Sequence, residues 1–327
     1  MDEETVIETK GLTKYYGDVK GAEDLDLSVE SGEIFGFLGP NGAGKTTTIR
    51  LLLGFLKPSR GKAWLLGRDI GDRKQLTFVK EKIGFLPSEY KFYEDVTGRK
   101  MLNHFESIRG GERRDELEEM FPIPFDDKIR NYSHGNKQKL AIIQTFMHNP
   151  ELVLMDEPTQ GLDPLMQREF NEFLFEEKEK GLSVFFSSHI LSEVRKVCDR
   201  VGIIKNGEIV AVEDVEDLID KSGKIVEVET KDKISSLEFG ETGFEVINKD
   251  PLRIIVGKTL EVQTGSKIGR DQFEEKGFKV LNRDPLRIMA TGNYNFLLDE
   301  LSKSDIEDIE IREPSLEDIF MHFYEEE

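Results

Sequence analysis

The ten residues GPNGAGKTTT, from Gly39 to Thr48, constrain this chain more than any other stretch. They follow an apolar run, EIFGFL, that reads as a strand, and they lead into a helical pattern from Thr46 to Phe55. Phosphate oxygens need several donors converging at close range. Glycines let the backbone turn its N–H groups inward, and a helix N-terminus adds the positive end of a dipole. Gly-x-x-x-x-Gly-Lys-Thr between a strand and a helix therefore predicts a phosphate cradle, here Gly39, Asn41, Gly42, Ala43 and Gly44 with the amides through Thr47. Lys45 is placed to reach the β and γ phosphates, and the Thr46 hydroxyl to hold Mg²⁺, an ion that takes a few protein oxygens alongside phosphates and water.

A second motif narrows the chemistry. LVLMDEPTQGLDP is an apolar strand ending in two adjacent carboxylates, which strand alternation points in different directions. Asp156 is read as orienting water on Mg²⁺, and Glu157 as the base that accepts a proton from, or polarises, the water attacking the γ-phosphate.

NYSHGNKQKLAIIQ sets a serine beside a histidine and raises the possibility of a nucleophile with its base. A hydrolase serine occupies a Gly-x-Ser-x-Gly turn with its base supplied from elsewhere in the chain, and here Asn131 stands two residues before Ser133. A serine and free amides at a helix N-terminus form an anion site instead.

Strands alternating with helices up to about residue 221 indicate an α/β domain with a mainly parallel sheet. Strands are expected in residues 5 to 38, in KAWLLG and KIGFLP with a polar connection between them, in ELVLMDEP and in LSVFFSSH. Helices are expected over residues 97 to 121, Leu165 to Lys180 and Ser192 to Val197, with a hairpin turning at Asn206-Gly207. After residue 221 the composition shifts to long β-leaning stretches, so a domain of 1–221 followed by an accessory α+β domain of 222–327 is expected. Within the latter, FGETGFEVINKDPLRII at 239 to 255 returns as FEEKGFKVLNRDPLRIM at 273 to 289, which reads as a duplicated β-hairpin. The closing segment spaces Leu316, Ile319, Phe320 and Phe323 on one face of an amphipathic helix.

The 65 acidic against 45 basic residues give a formal net charge of -20, which argues against free DNA or RNA as a partner. The single cysteine, Cys198, excludes an intrachain disulfide framework and fits a reducing compartment. No run approaches about 18 uninterrupted apolar residues, so a membrane partner is required if the chain works at a membrane.

Together these motifs resemble the ATP-binding subunits of ABC transporters, over roughly the first 220 residues. The resemblance implies a P-loop NTPase of the ABC type, with a helical insert at about 85–130 that docks on a separate transmembrane permease. It implies ATP and Mg²⁺ as ligands and a paired subunit or homodimer closing on ATP, peripheral to the cytoplasmic face of the membrane. By the same resemblance Ser133 and Gly135 donate to phosphate bound on the other subunit, and His134 is a variant of the usual glycine. His189 in FFSSHILSE looks like the switch histidine, Asp163 in GLDP like part of the loop that crosses to the partner, and Tyr16 in KYYGDV like the aromatic stacked on adenine, with Tyr15 as fallback. GFLPSEY offers Ser88 and Glu89 where the family commonly has glutamine. The tail REPSLEDIFMHFYEEE resembles subunits that serve exporters of drugs, antibiotics or lipids.

Two other classes remain as alternatives: a soluble ABC-type ATPase of translation or DNA maintenance, and a GTP switch. The first usually carries two cassettes or a long coiled coil. The second needs Asn-Lys-x-Asp, whereas NKDP at 248 to 251 places proline in the last position.

Overall fold

The computed structural model describes residues 5–222, 224–230, 252–256, 279–283, 286–289 and 306–312. The chain divides into two compact units, Met1–Glu213 and Asp214–Glu327.

The first unit opens with strands β1 (Thr5–Tyr16), β2 (Val19–Glu30) and β3 (Ile34–Leu38), then helix α1 (Lys45–Leu52). Next come β4 (Arg60–Leu65), β5 (Arg68–Asp69), α2 (Arg73–Lys82), β6 (Ile83–Leu86), α3 (Gly98–Arg109) and α4 (Arg114–Met120). Helix α5 (His134–Phe146) leads to β7 (Leu152–Asp156), α6 (Pro164–Glu179), β8 (Ser183–Ser188), α7 (Leu191–Val197), β9 (Arg200–Lys205) and β10 (Glu208–Asp214).

These strands form two sheets. One is four-stranded in the order β2-β1-β4-β5, with each pairing antiparallel. The other runs β10-β9-β3-β8-β7-β6, with parallel pairing from β9 through β6. The mainly parallel sheet expected from the strand and helix alternation is the second of these, whereas β1 and β2 belong to the antiparallel sheet. The reason lies in their connection: two residues join β1 to β2, which permits a hairpin and leaves no length for a crossover.

The core between the sheets is closed by α1, which contacts β7 as well as β2 and β4. Ile49, Leu51 and Leu52 of α1 are inaccessible to solvent, as are Phe35, Phe37 and Phe185 from the parallel sheet. Each such side chain contributes roughly 2 kcal/mol through removal of apolar surface from water. A second aromatic cluster joins α4, α5 and α6, with Phe173 edge-on to both Phe121 and Phe146.

Three local expectations differ from the structure. Residues 73–82, within the polar connection, form α2, whose start is fixed by Asp72 accepting from the amides of Lys74 and Gln75. Only Val79 of that helix is buried, so its apolar stripe is too thin to read as a period. The helix expected over 97–121 is two helices, α3 stopping where Gly110 turns to φ 85 and α4 beginning at Arg114. Helix α1 ends at Leu52, and Gly54 at φ 65 turns the chain away before Phe55. The hairpin at Asn206-Gly207 has both residues at positive φ, 49 and 84, the conformation a two-residue turn of this kind needs.

The second unit contains α8 (Val215–Ser222), β11 (Lys224–Thr230), β12 (Leu252–Val256), β13 (Lys279–Arg283), β14 (Leu286–Met289) and β15 (Ile306–Arg312). Strand β11 pairs antiparallel with β12 and with β15. In the second copy of the repeat, β13 and β14 form an antiparallel pair. Strands β12 and β14 occupy equivalent places in the two copies and lie against each other. The strand expected before β12, and the helix expected around Leu316 to Phe323, fall outside the described residues.

Candidate functional site

The phosphate cradle lies between β3 and α1. Gly44 precedes the helix at φ 113, and a β-carbon there would meet the Gly21 carbonyl oxygen at 2.5 Å, so both backbone angle and space demand glycine. Gly42 stands at φ 82, and a β-carbon on Gly39 would meet the Ile204 carbonyl at 2.4 Å. As at the start of any helix, the first amides of α1, those of Lys45, Thr46 and Thr47, lack intrahelical acceptors.

Tyr16, Asn41, Gly42, Gly44, Lys45, Thr46, Thr47 and Glu157 surround one cavity of about 410 Å³. Ala43 and Gly39 sit behind it: the Ala43 carbonyl accepts from the Gly207 amide at 2.8 Å, and the Gly39 carbonyl accepts from Lys45 Nζ at 2.7 Å. The Tyr16 ring is 45% exposed at the cavity edge with Lys14 Nζ 5.5 Å from its centroid. Tyr15 turns elsewhere and donates to Glu23.

The carboxylates hold different partners, as strand alternation requires. Asp156, at the end of β7, accepts from Thr46 Oγ1 at 2.8 Å and from Ser187 Oγ at 2.8 Å. Glu157 leaves the strand at φ 51, a left-handed conformation that costs a non-glycine residue about 1 kcal/mol or more. Its amide is held by the Ser187 carbonyl at 3.1 Å and the Ser187 hydroxyl at 3.2 Å. The turn sends its carboxylate to the cavity, where one oxygen lies 3.0 Å from Lys45 Nζ and the other 2.5 Å from His189 Nδ1. Lys45 is 5% exposed, so this ion pair sits in a low dielectric and is strong compared with a surface pair.

An Mg²⁺ ion fits this donor set. Among the described residues no cluster of three or more His, Cys, Asp or Glu side chains is arranged to hold a metal. A hydroxyl and a carboxylate in contact at a phosphate cradle, Thr46 and Asp156, instead suit an ion that draws most ligands from phosphate and water.

Ser133, Gly135 and Asp163 are not among the residues that line this cavity. Ser133 caps α5, its Oγ accepting from the Asn136 amide at 3.2 Å, which leaves the hydroxyl proton free to donate. His134 directs its imidazole to Gly161, where a β-carbon would meet Nε2 at 2.7 Å, so Ser133 and His134 do not form a nucleophile and base. Asp163 caps α6 through the amides of Leu165 and Met166, each at 3.0 Å.

The sequence did not single out Val19, Lys20, Gly21 or Gln160 as lining the same cavity. Lys20 and Gly21 arrive through the β1–β2 hairpin, which carries no phosphate motif. Gln160 had a usable signal, lying three residues beyond Glu157 in the same turn and donating its amide to the Glu157 carbonyl at 3.1 Å. Ser88 also lines the cavity.

The family model described as ABC transporter matches residues 22–160. An uncharacterized ABC transporter ATP-binding protein, YhcH of Bacillus subtilis (strain 168), is 36% identical over 219 residues, covering 65% of this chain and 71% of the relative. The chain belongs to the ABC transporter ATP-binding proteins. The bacitracin transport ATP-binding protein BcrA of Bacillus licheniformis is 36% identical over 248 residues, covering 74% of this chain and 80% of the relative. A solved structure of an ATP-binding subunit of an ABC transporter superposes with a TM-score of 0.61 at 31% identity, covering 65% of this chain and 92% of that one. As an ABC transporter ATPase the chain binds and hydrolyses ATP, and the α/β fold of its first unit is that of the ABC cassette. No helix among the described residues is long and apolar enough to cross a membrane.

Proposed function

We propose that this protein is the ATP-hydrolysing subunit of an exporter, pairing with a second ATPase subunit around bound nucleotide and driving a separate membrane permease from the cytoplasmic face. The observation that carries the reading is Glu157 held between Lys45 and His189 at the cradle mouth. Lys45 and the first amides of α1 bind and orient the phosphates. Thr46 and Asp156 would hold Mg²⁺, which neutralises charge on the phosphate oxygens. Glu157 takes the proton of the attacking water, and His189, whose imidazole touches that carboxylate, fixes its orientation beside the γ-phosphate. Tyr16 offers its exposed face to adenine.

Pairing is supported by Ser133 and Gly135, a donor hydroxyl and an open glycine that begin a helix away from the chain's own cavity. Similarity to a protein named for bacitracin transport supports a cargo of that kind, and the resemblance of REPSLEDIFMHFYEEE to exporter subunits favours export. The segment 85–130, including α3 and α4, is the surface assigned to the permease, with Glu89 in place of the glutamine common in the family. The unit after the cassette is assigned a role in stabilising or regulating the pair.

Light scattering of the Glu157→Gln chain with and without Mg²⁺ and ATP tests this function. Nucleotide-dependent doubling of mass is the expected result. A monomer at saturating ATP, both free and with its membrane partner, overturns it.

A further inference from the structure

The loop that follows β6 touches the nucleotide cavity at Ser88 and then turns inward. Two residues later Tyr90, half-buried, stacks on Phe92 with ring centroids 6.0 Å apart and lines a small cavity with Phe85, Phe105 and Gln144. Its hydroxyl donates to Gln138 Oε1. Gln138 lies on α5, five residues after Ser133, and is 1% exposed. The other half of its carboxamide, Nε2, donates to the Pro158 carbonyl at 2.5 Å. Pro158 follows Glu157 directly, at the point where the backbone has taken its left-handed turn.

Three segments separated in sequence are therefore joined by two hydrogen bonds, one part-buried and one buried: the 87–92 loop, the helix begun by Ser133, and the turn that carries Glu157. Burial pushes the Tyr90 phenol well above its ordinary range, so it stays protonated and remains a donor. Pro158 has no amide, and Gln138 grips the carbonyl that this residue does possess. Glu157 is held from the other side through its amide by Ser187. The turn is thus clamped before and after its strained residue, and only one of the two clamps reaches the loop.

We propose that Tyr90 is a positioning residue for hydrolysis, acting through Gln138 on the Pro158 carbonyl and thereby on the placement of the Glu157 carboxylate. A displacement of the 87–92 loop would then reach the base without passing through the phosphate cradle. The inference rests on Glu157 being the base.

The test is steady-state ATP hydrolysis by the full chain carrying Tyr90→Phe, Gln138→Leu, both together, or Glu157→Gln. Tyr90→Phe is expected to lower kcat by about tenfold, the effect of one lost hydrogen bond, while KM for ATP stays within about twofold. Because both residues act through one chain, the double variant is expected to be no slower than Gln138→Leu alone. Tyr90→Phe with unchanged kcat, with kcat and KM altered in parallel, or with an effect that multiplies that of Gln138→Leu overturns the relay. Should Gln138→Leu not fold, the split between kcat and KM in Tyr90→Phe decides alone. Active Glu157→Gln would remove the reading of Glu157 as base; inactive Glu157→Gln beside a fully active Tyr90→Phe would remove only the relay.

Discussion

Glu157 and His189 meet at 2.5 Å although 32 residues separate them, and the opposite oxygen of the same carboxylate is 3.0 Å from Lys45 Nζ. A base needs an oxygen free for water. On the proposed function, phosphate bound by Lys45 would compete with Glu157 for the ammonium and free one carboxylate oxygen for water. On that reading Glu157→Gln removes the base and weakens the competing ion pair. Hydrolysis is expected to fall by about 100-fold or more, with ATP affinity equal to or tighter than that of the original chain. Single-turnover hydrolysis and equilibrium nucleotide binding measure the two effects separately.

Gly44 makes the cradle possible by geometry alone. Gly44→Ala must place a β-carbon against the Gly21 carbonyl and hold φ 113 with an L side chain. Nucleotide affinity is expected to drop by about tenfold or more, since either the turn opens or the hairpin carrying Gly21 moves. Fluorescent ATP titration reads this directly.

The cradle and the carboxylate strand were legible because their chemistry is local: the donors come from consecutive backbone amides, and Asp156 and Glu157 are neighbours. The relationships that complete the site were not. Ser187 holds Asp156 and the Glu157 amide from the next strand, a contact created by parallel pairing of β7 with β8. Tyr90 and Gln138 are 48 residues apart, and no spacing rule joins them. Helix α2 was hidden because only Val79 of it is buried, too thin a stripe to show a period, while Asn206-Gly207 was plain because its φ angles admit few other residues.

Arg113 and Glu177 join the helical insert to α6. Both Glu177 oxygens take the guanidinium, one at 2.8 Å, and the two side chains are 13% and 4% exposed. Glu116 and Glu177 raise the arginine further above its ordinary range, so it stays charged at any working pH. Arg113→Met leaves Glu177 buried with Lys180 as its remaining cation. A loss of about 2 kcal/mol in urea unfolding is expected for Arg113→Met, the cost of losing charge-assisted hydrogen bonds to a buried carboxylate that Lys180 still partly compensates. Replacing both, Arg113→Met with Glu177→Leu, is expected to recover most of it.

His148 supplies a pH dependence. It is buried, its Nε2 lies 3.2 Å from the Ile83 carbonyl, and its Nδ1 has no partner. Burial, with Arg109 nearby, pushes its pKa down from 6.5 to about 4. The folded chain thus keeps the imidazole neutral where the unfolded chain protonates it. Between pH 6.5 and about 4 the unfolded state binds the extra proton, so this contribution is present above the window and is lost as pH falls through it. His148→Gln keeps a donor for Ile83 and cannot protonate. Its Tm is expected to fall less steeply than that of the original chain across this window, as calorimetry at stepped pH would record.

That Ser133 does not line the chain's own cavity gives the pairing proposal its sharpest consequence. Ser133→Asp retains a capping oxygen for the Asn136 amide, so α5 keeps its start, yet it presents a negative charge to any phosphate. Lys45→Ala disables the cradle and leaves Ser133 intact. Each variant alone is expected to be inactive, because both sites of a symmetric pair inherit the same defect. In a mixed pair one site combines the sound cradle of the Ser133→Asp chain with the sound serine of the Lys45→Ala chain. Hydrolysis should therefore return when the two inactive proteins are mixed, whereas a serine serving its own chain's phosphate would leave the mixture as inactive as its parts.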